Sequence, residues 1–557
     1  MDIFRVLTRG ASLKKTKEIT TDYSLPGASK QGKKDKLKAK NLEKQVSKEI
    51  DFFKTNKFQD KAEASEDEEE EEEEVAFYEK KAPNKVTTEE EARQLRKVNK
   101  AKITGDDIPL PIASFNDIKS RFTISPELLA NLDVLGFDKP TAIQSETIPI
   151  SLFHRDLIAC APTGSGKTLA FLVPLIQQIQ DLKNKNEDDV LKGVILSPTK
   201  ELAKQIYEVA LKLSKGMGLN ITLLSKSLNA KFKNGVIKKN KYELIITTPL
   251  RLIDLMTNLD PSSKVLDFQK LKFLIMDEAD KLFDKTFIAQ TDEIVSKITT
   301  NNAKLQKLMF SATIPSKIEQ IASSVLIDPI RVIIGHKEAA NDSIEQKLVY
   351  TGNEEGKLLA IRQLIQESEF RPPIIIFLQS IARAKALYHE LLYDNLKIEV
   401  LHSEKTQTQR DDIIARFKKG DVWCLICTDV LSRGLDFKKI NLVLNYDVPL
   451  TAQDYVHRIG RTGRGGKIGK AITLYTNQDT QLIKPILNVM KQNGVEMEGW
   501  LQNLAADKKG YREAKGKRVE RKQISTVPRV VKMKRKHKNQ MIEDSKKRKL
   551  QQSPNKL

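Results

Sequence analysis

The stretch Ala161-Pro-Thr-Gly-Ser-Gly-Lys-Thr168 follows the apolar run Leu157–Ala161 and precedes an apolar run with helical periodicity. A strand, a glycine-containing loop and a helix in this order form a phosphate-binding loop. The glycines let backbone N–H groups face the phosphates, Lys167 reaches the β- and γ-phosphates, and the Thr168 hydroxyl can bind magnesium. Ala161 stands where the motif has its first glycine, so the loop becomes specific only together with a second nucleotide-binding element.

The second element is the acidic tetrad Asp277-Glu-Ala-Asp280, which closes the apolar run Phe273–Met276. A carboxylate at the end of a buried strand can hold magnesium, and its neighbour can orient an attacking water. We assign the first role to Asp277, directly or through water, and the second to Glu278. A cluster of helix-capping carboxylates is the weaker alternative. Loop and tetrad together predict a site that holds and hydrolyses a magnesium nucleotide.

The composition sets limits on the class of protein. The chain has 557 residues, of which 39% are hydrophobic, and this length fits two to four domains. Its apolar runs have strand length and fall short of the roughly 18–20 residues of a membrane helix. The first ten residues lack the layout of a signal peptide. We therefore expect an intracellular protein without a membrane segment.

Three cysteines cannot form a disulfide framework, which agrees with a reducing compartment. Cys424 and Cys427 have the spacing of a metal or redox pair, but they lie in the apolar run Val422–Thr428. In a strand, residues three apart point to opposite faces of the sheet. No second cysteine pair or nearby histidine completes a zinc site in the sequence, so a metal or redox role is disfavoured.

The net charge of +21 is concentrated near the C-terminal end. Residues 507–557 contain 19 Lys or Arg and 5 Asp or Glu, and such an excess attracts a polyanion by counterion release. The clusters Lys532–Lys538 and Lys546–Lys549 also fit nuclear import signals. A solvated tail that only keeps the protein soluble is the alternative.

The pattern along the chain predicts four segments. Residues 1–105 are charge-rich, contain the acidic run Glu66–Glu74 and are predicted to be disordered. Residues 106–338 and 339–500 each alternate apolar strands with amphipathic helices, and residues 501–557 form a basic tail. The alternation predicts two α/β domains, each a parallel sheet flanked by helices. The predicted strands are 157–161, 193–197, 221–225, 244–247, 273–276, 307–310 and 331–334, then 373–378, 398–401, 423–427, 442–445 and 470–474.

Four motifs carry a family resemblance. The phosphate loop, Asp277–Asp280, Ser311-Ala-Thr313 and His457-Arg-Ile-Gly-Arg-Thr-Gly-Arg464 occur in the order found in DEAD-box RNA helicases. The chain resembles this family over about residues 112–480. The resemblance implies two tandem RecA-like domains, with disordered N- and C-terminal extensions, that hydrolyse ATP with Mg²⁺ when RNA binds. It also implies that Ser311, Ala312 and Thr313 couple hydrolysis to unwinding.

The resemblance implies how the first domain binds the nucleotide. Gln144 matches the family's adenine reader, because its amide can both donate to and accept from the base edge. Phe137 is the ring expected against the base, with Phe115 as the upstream aromatic residue, and a core role for either ring is the alternative. The phosphate loop would contribute Ala161, Pro162, Thr163, Gly164, Ser165, Gly166, Lys167 and Thr168.

The resemblance also implies that the second domain completes the catalytic site. Arg461 and Arg464 match arginine fingers, which stabilise charge on the transferring phosphoryl group only when the domains close. Catalytic His457 is expected to join the Asp277–Asp280 side of the interface. Asp436 is expected near the ribose. Nucleotide binding and domain closure would thereby be linked.

A third set of matched residues implies an RNA path across both domains. The set consists of Pro198, Thr199, Lys200, Thr248, Pro249, Arg251, Gln407, Arg410, Thr428, Arg433 and Gly434. Lys200 replaces the family's commoner Arg and loses its bidentate geometry, while Leu250 and Ser432 replace Gly and Ala. The family's Gly-Gly element is not evident in Leu224–Asn229. Contacts to backbone and sugar predict binding of single-stranded RNA with little sequence preference.

Further stretches resemble the Rok-type branch of this family, which acts in small ribosomal subunit assembly. They are Met1–Gly10, Asp107–Ile112, Ile334–Asn341, Asn353–Leu358, Tyr388–Leu392 and Val489–Asn493. The branch implies a nuclear, nucleolar protein with a monomeric core that acts in rRNA processing. Its partners would be pre-rRNA, paired in some cases with a small nucleolar RNA, and pre-ribosomal assembly proteins. An ATP-gated RNA clamp, whose hydrolysis only times release, needs the same residues and stays open.

Overall fold

The computed structural model describes one compact unit within Val75–Leu557. The described residues are 83, 85–185, 191–237, 241–258, 266–300, 302, 304–335, 343–394, 396–428, 437, 440–464, 468–480, 482–495, 524, 538 and 540–545. The predicted acidic run and nearly all of the predicted basic tail lie outside them. Within these ranges, every helix is too short or too polar to cross a lipid bilayer.

The described part of the first domain contains an eight-stranded sheet. Its strands are β1 Ala101–Thr104, β2 Leu157–Cys160, β3 Gly193–Leu196, β4 Ile221–Leu223, β5 Leu244–Thr247, β6 Phe273–Asp277, β7 Gln306–Ser311 and β8 Ile330–Ile334. They lie in the order β1-β8-β2-β7-β6-β3-β5-β4. All neighbours are parallel except β1 and β8. A parallel sheet needs a crossover between successive strands, and the helices supply it.

Helices cover both faces of this sheet. They are α1 Glu89–Val98, α2 Phe115–Arg121, α3 Pro126–Val134, α4 Ala142–Leu152, α5 Lys167–Asn184, α6 Lys200–Leu213, α7 Lys226–Lys233, α8 Pro249–Asn258, α9 Ala279–Leu282, α10 Ile288–Thr299 and α11 Ser316–Val325. Strand β2 illustrates why a strand of this sheet has a continuous apolar sequence. Leu157 and Ala159 belong to one apolar layer, and Ile158 and Cys160 belong to the other, because successive side chains point to opposite faces.

The second domain repeats the architecture with six described strands. They are β9 Ile344–Gly352, β10 Ile374–Leu378, β11 Ile398–Leu401, β12 Cys424–Thr428, β13 Leu442–Asn445 and β14 Gly469–Thr476, in the order β11-β12-β10-β13-β14-β9. All pairs are parallel. The helices are α12 Glu354–Gln366, α13 Ile381–Leu392, α14 Gln407–Lys419, α15 Ala452–Ile459 and α16 Lys484–Gln492. The predicted fold class, two α/β domains with parallel sheets, is confirmed, although β1 and β9 were absent from the predicted strands.

The two cysteines of β12 occupy opposite faces, as predicted. Cys424 belongs to one apolar layer of the second domain and Cys427 to the other. Both are buried thiols, and burial raises the pKa of the Cys424 thiol well above its usual value. Among the described residues no group of three His, Cys, Asp or Glu could hold a metal ion. The pair packs in the two apolar layers of the domain.

The prediction that residues 1–105 are disordered is wrong for residues 85–105. Helix α1 begins with a capping box, in which the Glu91 amide donates to Thr88 Oγ1 and the Thr88 amide donates to Glu91 Oε2. The buried residues of this helix are Ala92 and Leu95. Two buried apolar residues are too few to give a clear helical period in the sequence. Strand β1 pairs antiparallel with β8 at the sheet edge. A distant strand that offers free backbone groups can order a segment whose own pattern is polar.

Candidate active site

The sheet order brings the phosphate loop and the acidic tetrad together. Strands β2, β7 and β6 are consecutive neighbours and parallel. Their carboxyl ends therefore lie at one edge, where ligands bind in open α/β sheets. The phosphate loop follows β2, Asp277 ends β6 and Ser311 ends β7. The Ala161 amide donates to the Ser311 carbonyl at 3.2 Å, which ties the loop to the neighbouring strand end.

The phosphate loop has the backbone that its glycines permit. Gly164 and Gly166 have φ angles of 85° and 94°, in the left-handed region that favours glycine. Helix α5 starts at Lys167, so its N-terminus, with unpaired N–H groups, faces the loop. The hydroxyl oxygens of Thr163 and Ser165 are buried and have no hydrogen-bond partner among the described residues. The loop thus offers donors of the kind that bind phosphate oxygens.

Lys167 lies buried inside the loop. Its Nζ donates to the carbonyls of Ala161, at 2.5 Å, and Pro162, at 3.0 Å. Burial lowers the pKa of Lys167, and the charge of Asp277 opposes this shift. The ammonium is therefore held close to both the loop carbonyls and the acidic tetrad, where a phosphate group would also lie.

The first two carboxylates of the tetrad are buried at the end of β6. Burial, followed by the charge of Glu278, raises the pKa of Asp277 to about 7, and Lys167 opposes the shift. Glu278 has a left-handed backbone with φ 50° and ψ 53°, and its amide donates to Asp277 Oδ1 at 3.0 Å. Such a conformation costs about 1–3 kcal/mol and clusters at functional sites. Glu278 Oε2 is buried without a hydrogen-bond partner among the described residues, so it is available to a water or a ligand.

The last carboxylate of the tetrad links the two domains. Asp280 Oδ2 accepts a hydrogen bond from Thr313 Oγ1 at 2.7 Å and lies 2.7 Å from His457 Nε2. Ser311 Oγ in turn donates to the Thr313 carbonyl at 2.7 Å. All four side chains are buried. The expected contact between His457 and the Asp277–Asp280 segment is confirmed, and Ser311 and Thr313 belong to the same network; Ala312 lies buried between them.

The arginine segment of the second domain packs directly on the phosphate loop. A Cβ atom added to Gly164 would lie 3.0 Å from Arg464 Cγ, and one added to Gly460 would lie 2.8 Å from Thr163 Cβ. Arg464 Nε donates to the Gly460 carbonyl at 3.0 Å, and the close approach to Thr163 leaves no room for a Cβ atom at Gly460. The structure thus brings this segment, as predicted, to the phosphate loop.

The other two arginines of the segment are buried. Arg461 Nε donates to the His457 carbonyl at 3.1 Å. Arg458 donates to Asn445 Oδ1 at 3.3 Å and to the Asp447 carbonyl at 2.7 Å, and its guanidinium lies 5.3 Å from the centroid of the Phe377 ring. Arg458 therefore stabilises the second domain itself, whereas the roles of Arg461 and Arg464 as arginine fingers stay predictions.

Gln144 bridges helix α4 and the phosphate loop. Its Nε2 donates to the Gly166 carbonyl at 3.0 Å, and its Oε1 accepts from the Thr141 amide at 3.0 Å. One N–H and one acceptor lone pair remain for a base edge. Phe137 is half-buried and packs against the core, and Phe115 is a buried core residue. The core interpretation therefore holds for Phe115, while the adenine contacts of Gln144 and Phe137 stay predictions.

The predicted RNA-facing residues of the first domain lie at strand ends. Pro198 and Thr199 precede Lys200, where α6 begins after β3, and Thr248 and Pro249 follow β5. Strands β3 and β5 are parallel neighbours, so these residues share the edge that carries the nucleotide site. Arg251 is partly exposed. The arrangement agrees with the predicted RNA path, and the RNA contacts of these residues stay predictions.

Two of the predicted RNA-facing residues of the second domain, Gln407 and Arg410, contact the first domain. Arg410 Nη1 lies 2.9 Å from Glu201 Oε1, and Gln407 Nε2 donates to the same oxygen at 3.4 Å. Lys204 and Asp411 add an ion pair at 3.2 Å. These acceptors were not predicted, because a pairing between segments more than 200 residues apart leaves no local signal in the sequence. Thr428 ends β12, and Arg433, Gly434 and Asp436 lie outside the described residues.

Known proteins share this arrangement over most of the chain. A family model described as DEAD/DEAH box helicase matches residues 141–321, and one described as helicase conserved C-terminal domain matches residues 356–466. One curated relative is the ATP-dependent RNA helicase ROK1 of Scheffersomyces stipitis. The two sequences are 55% identical over 565 residues, and the alignment covers 100% of each chain. The ROK1 protein of Saccharomyces cerevisiae strain S288c is 54% identical over 96% of both chains. The chain belongs to the DEAD-box family of ATP-dependent RNA helicases.

Solved structures extend the likeness to ligands bound by relatives. Yeast Dbp5 bound to RNA and ADP BeF3 is 27% identical with a TM-score of 0.59, covering 72% of this chain and 100% of that one. Mss116p bound to single-stranded RNA and AMP-PNP is 25% identical with a TM-score of 0.61, covering 72% and 87%. This DEAD-box protein is therefore an RNA helicase and ATPase of the Rok type, with two RecA-like domains.

Proposed function

We propose that this helicase separates or remodels short base-paired segments of pre-ribosomal RNA during small ribosomal subunit assembly, in the nucleolus. The contact between Asp280 and His457 carries the mechanistic part, because it makes the nucleotide site depend on the position of the second domain. The basic tail and import-like clusters in the sequence agree with a nuclear RNA substrate. Likeness to the ROK1 relatives supports the branch assignment.

In this mechanism the second domain transmits the nucleotide state to the RNA. Arg464 and Gly460 lie against the phosphate loop, and His457 lies against the tetrad. The Gln407 and Arg410 end of α14 lies against Glu201 of α6. Both contacts are made by one domain, so a change at the phosphates alters the relative position of α6 and α14. RNA held along the strand ends would then be bent locally rather than transported over a distance.

Magnesium would bind between Thr168 and Asp277. Hydroxyl and carboxylate oxygens are the ligands that Mg²⁺ prefers, and the ion usually shares its coordination sphere with substrate phosphates. The unpartnered, buried Glu278 Oε2 fits a site that orders a water. The ion is expected to bind together with the nucleotide, whose phosphates supply further oxygen ligands. When bound, Mg²⁺ neutralises charge on the phosphates.

A paired assay of strand separation and ATP hydrolysis tests the enzymatic part. The chain should separate a short RNA duplex only with ATP, and Lys167→Ala should lose both activities. Lys212→Ala, at an exposed lysine of α6, serves as the matched control and should keep both. Hydrolysis stimulated by RNA without any strand separation would replace unwinding by the clamp mechanism.

Crosslinking in cells tests the biological part. RNA crosslinked to the tagged full-length chain should map to small-subunit pre-rRNA, including sites that pair with small nucleolar RNA. A fluorescent fusion should accumulate in the nucleolus. Crosslinks confined to messenger RNA, or an exclusively cytoplasmic fusion, would contradict the proposed role while leaving the ATPase assignment intact.

A further inference from the structure

Two of the buried polar side chains of helix α4, Gln144 and Glu146, have different partners. Gln144 contacts the phosphate loop through the Gly166 carbonyl. Glu146, two residues later and completely buried, lies 3.3 Å from Arg96 Nε with both of its carboxylate oxygens. Residues two apart in a helix point about 200° away from each other. One side of α4 therefore meets the nucleotide site, and the other meets helix α1.

Arg96 comes from the segment in front of the helicase core. The first matched region begins at residue 141, so helix α1 lies outside the regions matched by both family models. Besides Glu146, Arg96 Nη2 donates to the Pro109 carbonyl at 3.1 Å. The guanidinium thus joins three segments, α1, the connection around Pro109 and α4. The Arg96 side chain is 20% exposed, whereas the Glu146 side chain is 0% exposed. The ion pair is therefore shielded from solvent on the carboxylate side.

The neighbouring position of α4, Ser145, makes a second contact with the segment before the core. Ser145 Oγ donates to the Ile112 carbonyl at 2.5 Å, and the Ile112 amide donates to the Ser145 carbonyl at 3.0 Å. The segment from α1 to Ile112 is therefore bonded to consecutive positions of the helix. On the other side, a Cβ atom at Gly166 would lie 2.4 Å from Gln144 Nε2. Because the space between Gly166 and the Gln144 side chain is so small, a small shift of α4 changes the contact of Gln144 with the phosphate loop.

We propose that Arg96 is a positioning residue for nucleotide binding, because its ion pair with Glu146 holds α4 so that Gln144 stays on the phosphate loop. The proposal rests on the predicted contact of Gln144 with adenine. The segment before the core would thereby set the preference for adenine nucleotides without touching the nucleotide.

The electrostatics of Glu146 agree with this arrangement. Burial raises the pKa of Glu146 to about 7, and Arg96 opposes the shift. A buried carboxylate that loses its cation becomes protonated or moves toward water. Either response changes the packing of α4 against α1. Removing Arg96 is therefore expected to act on the helix rather than only on the surface.

Nucleotide binding by the full-length chain tests the proposal. Arg96→Ala should weaken ATP binding about tenfold, leave GTP binding within about twofold and so reduce the ATP-to-GTP preference. Arg93→Ala, on the same helix and with a side chain 76% exposed, is the matched control and should keep the wild-type preference. Arg96→Lys, which keeps the charge, should restore most of it. Equal losses for ATP and GTP would indicate a merely structural role and overturn the proposal.

A double-mutant cycle tests the route through Gln144. Gln144→Ala should abolish the ATP-to-GTP preference, and adding Arg96→Ala should then have no further effect on it. Independent, additive losses would contradict the route. Arg96→Met with Glu146→Gln removes both charges and avoids an unpaired buried carboxylate. This variant should melt near the wild-type temperature and still show the reduced preference, whereas a normal preference would overturn the proposal. These readouts measure the choice of nucleotide, whereas the proposed function is tested by strand separation. The nucleotide preference can therefore stay normal in the variants while the wild-type chain separates strands, and it can change while the wild-type chain does not separate them.

Discussion

Replacing His457 by alanine is expected to uncouple RNA binding from ATP hydrolysis. The imidazole Nε2 lies 2.7 Å from Asp280 Oδ2, and both side chains are almost completely buried. A hydrogen bond to a charged group contributes about 1.5–3 kcal/mol. Since 1.4 kcal/mol corresponds to a factor of ten, the variant should lose roughly 10- to 100-fold in RNA-stimulated hydrolysis.

The measurement is steady-state ATP hydrolysis with and without a saturating single-stranded RNA. Hydrolysis without RNA should change by less than about twofold, because Lys167, Asp277 and Glu278 belong to the first domain and keep their contacts. The loss should appear in the RNA-stimulated kcat. His389→Ala, which changes an exposed histidine of the same domain, is the matched control and should behave like the wild type.

Two results would refute this reasoning. A wild-type RNA-stimulated rate in His457→Ala would show that the contact with Asp280 has no role in coupling. An equal loss with and without RNA, together with a lower melting temperature, would show that the histidine only stabilises the fold. In the first case Thr313, the other partner of Asp280 Oδ2, would be sufficient to hold the carboxylate.

Three further predictions follow from individual contacts. Lys167→Ala should lose ATP turnover by at least a hundredfold while still binding RNA in a filter assay, and normal turnover would overturn the site assignment. Gly166→Ala should weaken ATP binding more than tenfold in a fluorescence titration, because its Cβ would lie 2.4 Å from Gln144 Nε2 at a φ of 94°; unchanged affinity would contradict the close approach. Glu146→Gln should alter the pH dependence of stability. The pKa of Glu146 is raised to about 7, so its stabilising contribution is fully present below about pH 4.5 and is lost as the pH rises through 7. By linkage this loss of free energy of unfolding approaches about 3 kcal/mol. The variant should melt at the wild-type temperature near pH 5 and at a higher temperature near pH 8. A difference in melting temperature that stays constant with pH would contradict the prediction.

Local patterns in the sequence were sufficient for all the parallel strands except β9 and for the phosphate loop. Strand β2, buried on both faces, reads as a continuous apolar run, and Gly164 and Gly166 mark the loop that follows it. The tetrad is recognisable because Asp277 directly ends a buried strand. These signals are short-range, since side-chain alternation and backbone freedom are properties of neighbouring residues.

The order of the strands and the contacts between the domains were decided only by the tertiary structure. Strand β1 became ordered because β8 offers an open edge, although it is only four residues long and has only two apolar residues. The contacts of Asp280 with His457 and of Glu201 with Arg410 join residues far apart in the chain. So does the ion pair of Arg96 with Glu146. The sequence by itself therefore determined which residues are able to bind and hydrolyse a nucleotide. Folding decided which of them meet, because a partner brought close only by the packing of two sheets and their helices has no fixed spacing along the chain.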